Sequence, residues 1–219
     1  MARLLGLKQV PVFVEEGDAK VTTEFGKNMS DYPTPGKTGD HNGLDIVRCT
    51  DGKSSTTAMI CAIADGIITA QRTYVKGYSE KYSGGNCVYI RHAGGKMTKY
   101  LHLAYGTMPD WIKDGAEVHK GDVLGKMGNT GYSFGAHLHF QVEDIDPDAP
   151  ITPKLSGTPI DPEPYLTGEK VIEGEKEYAV KIGTFATRYG AEVIQAALYT
   201  LGTDSEIIEL EKKVTVKKK

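Results

Sequence analysis

Two histidines stand two residues apart in the stretch GAHLHFQV, which begins at Gly135. In an extended chain, His137 and His139 point to one side of the strand, while the apolar Leu138 and Phe140 point to the other. An ordinary half-buried strand alternates apolar residues with mixed polar ones, so a repeated imidazole needs a chemical reason. Imidazole nitrogens bind divalent metals and exchange protons near neutral pH. The strand therefore predicts a metal-binding or proton-transfer site on its polar side.

A second group of candidate ligands lies in the stretch GDHNGLDIV. His41 and Asp45 are four residues apart, and the intervening Asn42-Gly43 disfavours a helix. In an extended chain, positions 41, 43 and 45 point to one side, and the glycine leaves room between the imidazole and the carboxylate. This pattern favours a clip for a metal ion.

A further candidate, His102, lies in the stretch KYLHL. Strand alternation places His102 on the same side as Tyr100 and turns the two leucines inward. A catalytic zinc site needs three nitrogen or oxygen ligands and one open position. His41, Asp45 and one of the two HLH histidines would supply the ligands, and the other two histidines would be free for proton transfer. The residues alone leave open which HLH histidine is the ligand.

The elements that must position these residues are short strands separated by glycine-rich turns. No long helix of 3.6-residue periodicity appears before residue 168, and frequent DG and GG turns favour an antiparallel sandwich or barrel over a βαβ fold. We therefore predict a mainly β domain. Its predicted strands are VPVFV, GLDIV, AMICAIA, GIITAQ, NCVYIRH, KMTKYLHL, DVLGKMG and HLHFQV.

The chain changes character after its strand-rich part. Residues 144–166 are rich in proline and acidic residues, which predicts an ordered wrap or a linker. Beyond it, EYAVKIGTF is strand-like and RYGAEVIQAALYTLG is helix-like. The sequence therefore predicts two domains, 1–168 and a small α+β module at 169–219, which is near the lower size limit for independent stability.

Composition and the N-terminus narrow the possible partners. With 26 Lys and Arg against 29 Asp and Glu, the chain lacks the basic excess of nucleic-acid-binding proteins. No apolar run reaches the length of a membrane span. The stretch MARLLGLKQVPVFVEEG is interrupted by Lys8, Gln9 and Pro11, so no export signal is recognised. We expect a soluble protein that neither binds nucleic acid nor inserts into a membrane.

Together, these stretches resemble the lysostaphin and LytM type of zinc endopeptidase, family M23, which cleaves peptide bonds in bacterial cell walls. The resemblance runs in consistent order through residues 22–166 and implies an antiparallel β metallopeptidase domain. It rests on HNGLD, AIADGIITA, GGNCVYIRHAGGKMTKYLHL, DGAEVHKGDVLGKMGNTGYSFGAHLHFQV and GTPIDPEPYL.

The resemblance also implies roles for individual residues. It implies that His41, Asp45 and His139 bind Zn2+. His102 and His137 match the catalytic histidines, which activate the attacking water and steady the oxyanion, and their division of labour stays open. Many members carry Glu directly after HLHF, where this chain has Gln141, and we expect activity to survive that difference.

The implied function is zinc-dependent hydrolysis of peptide bonds in bacterial peptidoglycan, in the stem peptide or the cross-bridge. The unrecognised export signal and the small 169–219 module favour a phage lysin or virion-associated hydrolase. Such an enzyme is made in the host cytoplasm and reaches the wall through lysis or on a virion. The module is expected to bind the wall or to form a homo-oligomer.

Two other function classes fit the sequence less well. A catalytically inactive wall-binding, activator or virion structural module would share the scaffold, but inactive relatives lose ligands that this chain retains. A lipoyl or biotinyl carrier would need a modifiable lysine flanked by methionines on a tight hairpin, and Lys126-Met127 lacks that frame.

Overall fold

The structure, a computed structural model, describes residues 2–27, 40–153 and 155–172. All of these residues belong to one unit of the chain, Met1–Lys176. The α+β module predicted at 169–219 falls outside the described residues except for its first four positions. The domain boundary at 168/169 and the binding or oligomerisation role of the module stay predictions.

Twelve strands, one short α-helix and one turn of 3-10 helix, at Ala93–Gly95, occur among the described residues. The strands are β1 (Arg3–Leu4), β2 (Asp18–Thr23), β3 (Leu44–Thr50), β4 (Lys53–Ser54), β5 (Met59–Cys61), β6 (Gly66–Arg72), β7 (Asn86–His92), β8 (Lys96–Leu103), β9 (Glu117–Val118), β10 (Val123–Lys126), β11 (Leu138–Asp144) and β12 (Thr158–Ile160), and the helix is α1 (Glu163–Thr167).

Ten of these strands form one antiparallel sheet. Its path is β1-β2-β3-β11-β8-β7-β6-β9, with β4 paired to β3 and β12 paired to β11, while β5 and β10 form a second, two-stranded sheet. The prediction of a mainly β, antiparallel fold for the first domain is therefore confirmed. The path also places β3, β11 and β8 side by side, and these are the three strands that carry the predicted site residues.

A single hydrophobic core joins the two sheets. Tyr100 on β8 and Phe140 on β11 are fully buried with ring centroids 5.3 Å apart. Ile60 and Leu124 from the small sheet are fully buried in the same cluster. The Tyr100 hydroxyl accepts a hydrogen bond of 3.0 Å from the amide of Ile63, so the polar end of this ring is satisfied. Each such side chain contributes about 1.5–3 kcal/mol through burial, and together they fix β11 against β8.

The prediction of a strand at VPVFV is wrong. Val10, Val12 and Phe13 are buried, but the Phe13 amide donates to the Val10 carbonyl across a turn at 2.9 Å. Pro11 has no N–H to offer a sheet ladder, which explains why the apolar alternation does not produce a strand. The strand β2 was not predicted, because DAKVTT carries few large apolar residues.

His92 at the end of β7 is buried between two hydrogen-bonding partners. Its Nδ1–H donates to the carbonyl of Asp65 at 2.7 Å, and the Thr98 hydroxyl donates to its Nε2 at 2.7 Å. These partners satisfy a neutral imidazole. Burial lowers the pKa of His92 from 6.5 to about 4, because the charged ring would be desolvated.

We predict that His92 makes the protein less stable as the pH falls. Between pH 6.5 and about 4 the unfolded chain takes up a proton that the folded His92 refuses, which costs about 3 kcal/mol of unfolding free energy over that window. Urea unfolding of the metal-free protein at several pH values should show a shallower loss in His92→Gln than in the wild type. His119→Gln, at an exposed histidine, is the control. An unchanged slope in His92→Gln would contradict the prediction.

Candidate metal and catalytic site

Strand register brings the predicted ligands together. On neighbouring strands β3 and β11, Asp45 and His139 are directly paired, so their side chains share one face of the sheet. His41 lies three residues before β3, where its amide donates to the Lys27 carbonyl at 2.9 Å. The three side chains therefore meet at the start of β3, although 94 residues separate Asp45 from His139.

Three donor atoms form a small triangle at this point. Asp45 Oδ1 lies 3.1 Å from His41 Nε2 and 2.8 Å from His139 Nδ1, and the two ring nitrogens are 3.1 Å apart. Tetrahedral zinc with bonds of about 2.0–2.1 Å holds its ligands about 3.3 Å apart, which matches this triangle. Within the described part of the chain, these three residues form the one cluster of His, Cys, Asp or Glu that could hold a metal ion.

The outer hydrogen bonds of the two ring ligands fix which nitrogen faces the triangle. His41 Nδ1 lies 2.9 Å from the carbonyl of Glu24, and a carbonyl can only accept, so this nitrogen carries the proton. His139 Nε2 lies 3.4 Å from Gln141 Oε1 in the same sense. Both rings therefore turn an unshared electron pair towards Asp45. Two imidazole lone pairs and a carboxylate oxygen repel each other unless a cation or a proton lies between them, and this donor set fits zinc.

Asp45 is largely buried, and its ionisation depends on the histidines. Burial alone would raise the pKa of its carboxyl group, but the neighbouring rings of His137, His139 and His41, which in their protonated form donate to the carboxylate and offset its charge, outweigh burial and hold the pKa well below its ordinary value. Asp45 is therefore a carboxylate at neutral pH. That is the form in which an aspartate binds a metal.

The space beside Gly43 is occupied by the His139 ring and the Phe140 carbonyl. The sequence had predicted only that glycine leaves room between the His41 imidazole and the Asp45 carboxylate. The His139 ring lies against Gly43: a Cβ at position 43 would come within 2.7 Å of His139 Nε2 and 2.6 Å of the Phe140 carbonyl oxygen. Distances below 3.0 Å require the neighbouring atoms to move. Glycine at 43 thus permits the close approach of β11 that seats the third ligand.

His102 reaches the site by a route that strand alternation did not predict. Tyr100 points into the core with Phe140, and Leu101 is paired with His139 on β11, so the expected sides of Tyr100 and Leu101 were wrong. The register between β7 and β8 shifts near Asn86, and His102 has a φ of 63°. A bulge of this kind redirects a side chain, and here it turns His102 towards the histidines of β11.

The two predicted catalytic histidines lie next to each other. The ring centroids of His102 and His137 are 4.8 Å apart, and the His102 centroid is 6.1 Å from that of His139. His102 Nδ1–H donates to the Thr130 carbonyl at 2.8 Å, and His137 Nδ1–H donates to the Gly135 carbonyl at 2.8 Å. In the neutral form of each ring, Nε2 is therefore the unprotonated nitrogen, which is the one that can act as a base. His137 Nε2 lies 3.5 Å from Asp45 Oδ1, at the edge of the ligand triangle.

His102 is neutral at physiological pH. Burial, reinforced by the positive charge that His137 and His139 can carry, lowers the pKa of His102 from 6.5 to about 3. Its Nε2 therefore carries an unshared pair at neutral pH. The structure places all five predicted residues in one cluster, and their individual roles stay predictions.

A buried polar network behind His139 was missed by the sequence reasoning, which noted only Gln141. Gln141 Nε2 donates to Glu143, and Lys99 Nζ donates to the same carboxylate oxygen. Since a carboxylate can only accept, Glu143 fixes the Gln141 amide with its oxygen towards His139. The sequence does show that residues 139, 141 and 143 alternate on one side of β11. It does not show that β11 pairs with β8, which is what brings Lys99 next to Gln141.

We predict that Gly43→Ala weakens zinc binding by at least about tenfold, because the new methyl group displaces His139. Chelator competition measures the affinity, and circular dichroism checks the fold. Gly77→Ala is the matched control, since a Cβ there meets nothing within 4 Å and its φ is not positive. Wild-type affinity in Gly43→Ala would contradict the proposed seating of the third ligand.

We also predict that Gln141→Leu weakens zinc binding by about tenfold with little change in folding. The leucine fills a similar volume but removes the oxygen that accepts the His139 Nε2–H, so the ring loses its fixed orientation. Gln71→Leu, at a half-buried position on β6, is the control and should bind zinc as the wild type does. Equal affinity in both variants would show that Gln141 does not orient the ligand.

Comparison with known proteins places this geometry in a family. Residues 39–162, more than half of the 219-residue chain, match Peptidase family M23. The matched range contains all five residues of the cluster: His41, Asp45, His102, His137 and His139.

Individual relatives carry related names. The peptidoglycan DD-endopeptidase ShyC of Vibrio cholerae is 33% identical over 110 residues, 50% of this chain and 22% of the relative. The glycyl-glycine endopeptidase of Staphylococcus capitis is 28% identical over 185 residues, 82% of this chain and 44% of the relative. The catalytic domain of the antimicrobial peptidase lysostaphin from Staphylococcus simulans is 28% identical, covers 67% of this chain and 90% of that chain, and superposes with a TM-score of 0.46.

This chain spans less than half the length of the two curated relatives. The family match itself covers the strands and loops that build the triangle and both neighbouring histidines. The chain belongs to Peptidase family M23.

Proposed function

We propose that this chain is a zinc-dependent endopeptidase that hydrolyses peptide bonds in bacterial peptidoglycan. The observation that carries the proposal is the convergence of His41 Nε2, Asp45 Oδ1 and His139 Nδ1 within 3.1 Å of one another, with His102 and His137 beside them. The family supports hydrolysis of a peptide bond, and the names of relatives such as ShyC support peptidoglycan as the substrate.

The chemistry divides between the metal and the histidines. When bound, zinc acts as a Lewis acid that polarises a carbonyl and makes water a stronger nucleophile. His102 Nε2 and His137 Nε2 are the groups able to accept a proton from the attacking water. A ring that has taken up this proton can then donate a hydrogen bond from Nε2 to the developing oxyanion. The carbonyls of Thr130 and Gly135 accept the Nδ1–H of these rings and so favour the tautomer with Nε2 unprotonated.

The bond that is cleaved has two supported candidates. One relative is named a DD-endopeptidase and another a glycyl-glycine endopeptidase, so stem-peptide linkages and glycine bridges both belong in the test.

We propose the bacterial cell wall as the site of action, because the proposed substrate lies there. No helix in the described ranges is long and apolar enough to cross a membrane. A phage origin, with release through lysis or on a virion, stays a prediction.

Peptide release from purified sacculi tests the function directly. The zinc-loaded protein should release new peptide ends, a chelator should abolish release, and added zinc should restore it, as followed by mass spectrometry of the fragments. His102→Ala and His137→Ala should each lower the rate about 10²- to 10⁴-fold while zinc stays bound. His119→Ala, at an exposed histidine outside the cluster, should leave the rate unchanged.

Two outcomes of the sacculus assay bear on the alternatives to this function. A folded, zinc-loaded protein that releases nothing from sacculi with direct, interpeptide or glycine cross-links would contradict the proposal. Binding to those sacculi without cleavage would favour the alternative, an inactive wall-binding or activator module.

A further inference from the structure

Three aromatic side chains form an exposed cluster on one surface of the protein. Tyr78, Tyr132 and Phe134 lie with ring centroids 5.3–5.7 Å apart, each ring in contact with the other two. Phe134 is 71% exposed and Tyr78 is 53% exposed, while Tyr132 is half-buried between them. We call these three residues the aromatic platform. Contiguous exposed aromatic surface of this kind marks a binding site more often than scattered apolar residues do.

Backbone hydrogen bonds hold the platform in place before any ligand arrives. The loop after β6 and the loop before β11 are joined by three bonds: Ser79 N to Gly131 O at 2.9 Å, Gly131 N to Gly77 O at 2.9 Å and Tyr132 N to Ser83 O at 2.8 Å. Because the rings come from two loops locked to each other, little conformational freedom is lost when something stacks on them.

The platform is continuous with the candidate catalytic site. Ser133, between Tyr132 and Phe134, points inward, where its Oγ donates to Asn129 Oδ1 at 2.6 Å and lies 3.4 Å from His137 Nδ1. The next residue after Phe134, Gly135, accepts the hydrogen bond from His137 Nδ1. The loop before β11 therefore presents two of the three rings, Tyr132 and Phe134, on its outer side and positions a predicted catalytic histidine on its inner side.

We propose that the aromatic platform binds sugar rings of the peptidoglycan glycan strand, an inference that rests on the proposed function. A pyranose ring offers an apolar C–H face, which stacks on an aromatic ring, and a rim of hydroxyl and acetamido groups. The platform offers aromatic faces together with the Tyr78 hydroxyl, whose Oη–H donates to Glu80 Oε1 at 3.0 Å and whose oxygen can accept a further hydrogen bond.

Size and connectivity favour sugar over a protein partner. A stable protein interface buries about 800 Å² on each side, and three rings with centroids 5.3–5.7 Å apart cover far less than that, so the platform suits a small unit such as a sugar ring better. In peptidoglycan the stem peptide is covalently attached to the glycan strand. A peptide held near His137 therefore brings its own sugar to the adjacent surface, and binding there raises the local concentration of the scissile bond.

The test compares a sugar without peptide and a peptide without sugar. Binding of the β-1,4-linked N-acetylglucosamine tetramer to the zinc-loaded full chain is measured by NMR titration for the wild type, Phe134→Ala and Tyr78→Ala. Each variant should bind the tetramer roughly three- to tenfold more weakly. Trp111→Ala removes an exposed aromatic outside the platform and should bind as the wild type does.

The same proteins are then assayed on intact sacculi and on a soluble stem peptide that lacks sugar. The platform variants should lose activity on sacculi and keep it on the soluble peptide. Equal tetramer affinity in the wild type and the variants would overturn the proposal. An equal loss of activity on sacculi and on the soluble peptide in Phe134→Ala and Tyr78→Ala would also overturn it, because the rings would then bind the peptide and not the sugar. Self-association that is lost in Phe134→Ala would also overturn it, with a second copy of the chain as the occupant. If the wild type cleaves neither substrate but tetramer binding still falls in the variants, the proposed function fails and the platform stands.

Discussion

The candidate site depends on the cross-strand pair of Asp45 and His139. This pair sets a carboxylate oxygen 2.8 Å from a ring nitrogen, and His41 Nε2 closes the triangle from the segment before β3. Strand pairing supplies the precision, because the register between β3 and β11 fixes which side chains face each other. A slip of one residue would turn His139 into the core and expose Phe140. The fully buried Phe140 and Tyr100 resist that slip, so the hydrophobic core protects the ligand geometry.

Around the triangle, every histidine is held by a second partner. Carbonyls of Glu24, Thr130 and Gly135 each accept a ring N–H, and Gln141 does so for His139. The Gln141 amide is in turn oriented by Glu143, whose buried charge is matched by Lys99. Such outer contacts leave the ring nitrogens aimed at one place, which is the preorganisation that a metal site and its neighbouring bases require.

Much of this arrangement could be predicted from sequence, and the failures have physical causes. The types and spacing of His41, Asp45 and the HLH histidines indicated a metal site, because few other functions need those residues on alternating strand positions. Strand alternation predicted the wrong sides for Tyr100 and Leu101 beside His102. A bulge and a positive φ at His102 override the alternation, and neither can be read from KYLHL alone. The seating of His139 against Gly43 and the pairing of Lys99 with Glu143 both depend on contacts between distant segments.

The most direct test of the account is the anomalous X-ray scattering of crystals grown with zinc, measured on both sides of the zinc absorption edge. We predict one strong peak about 2 Å from His41 Nε2, Asp45 Oδ1 and His139 Nδ1, with His102 and His137 facing its open side. A peak held by another set of residues, or no peak in protein that binds zinc in solution, would contradict it.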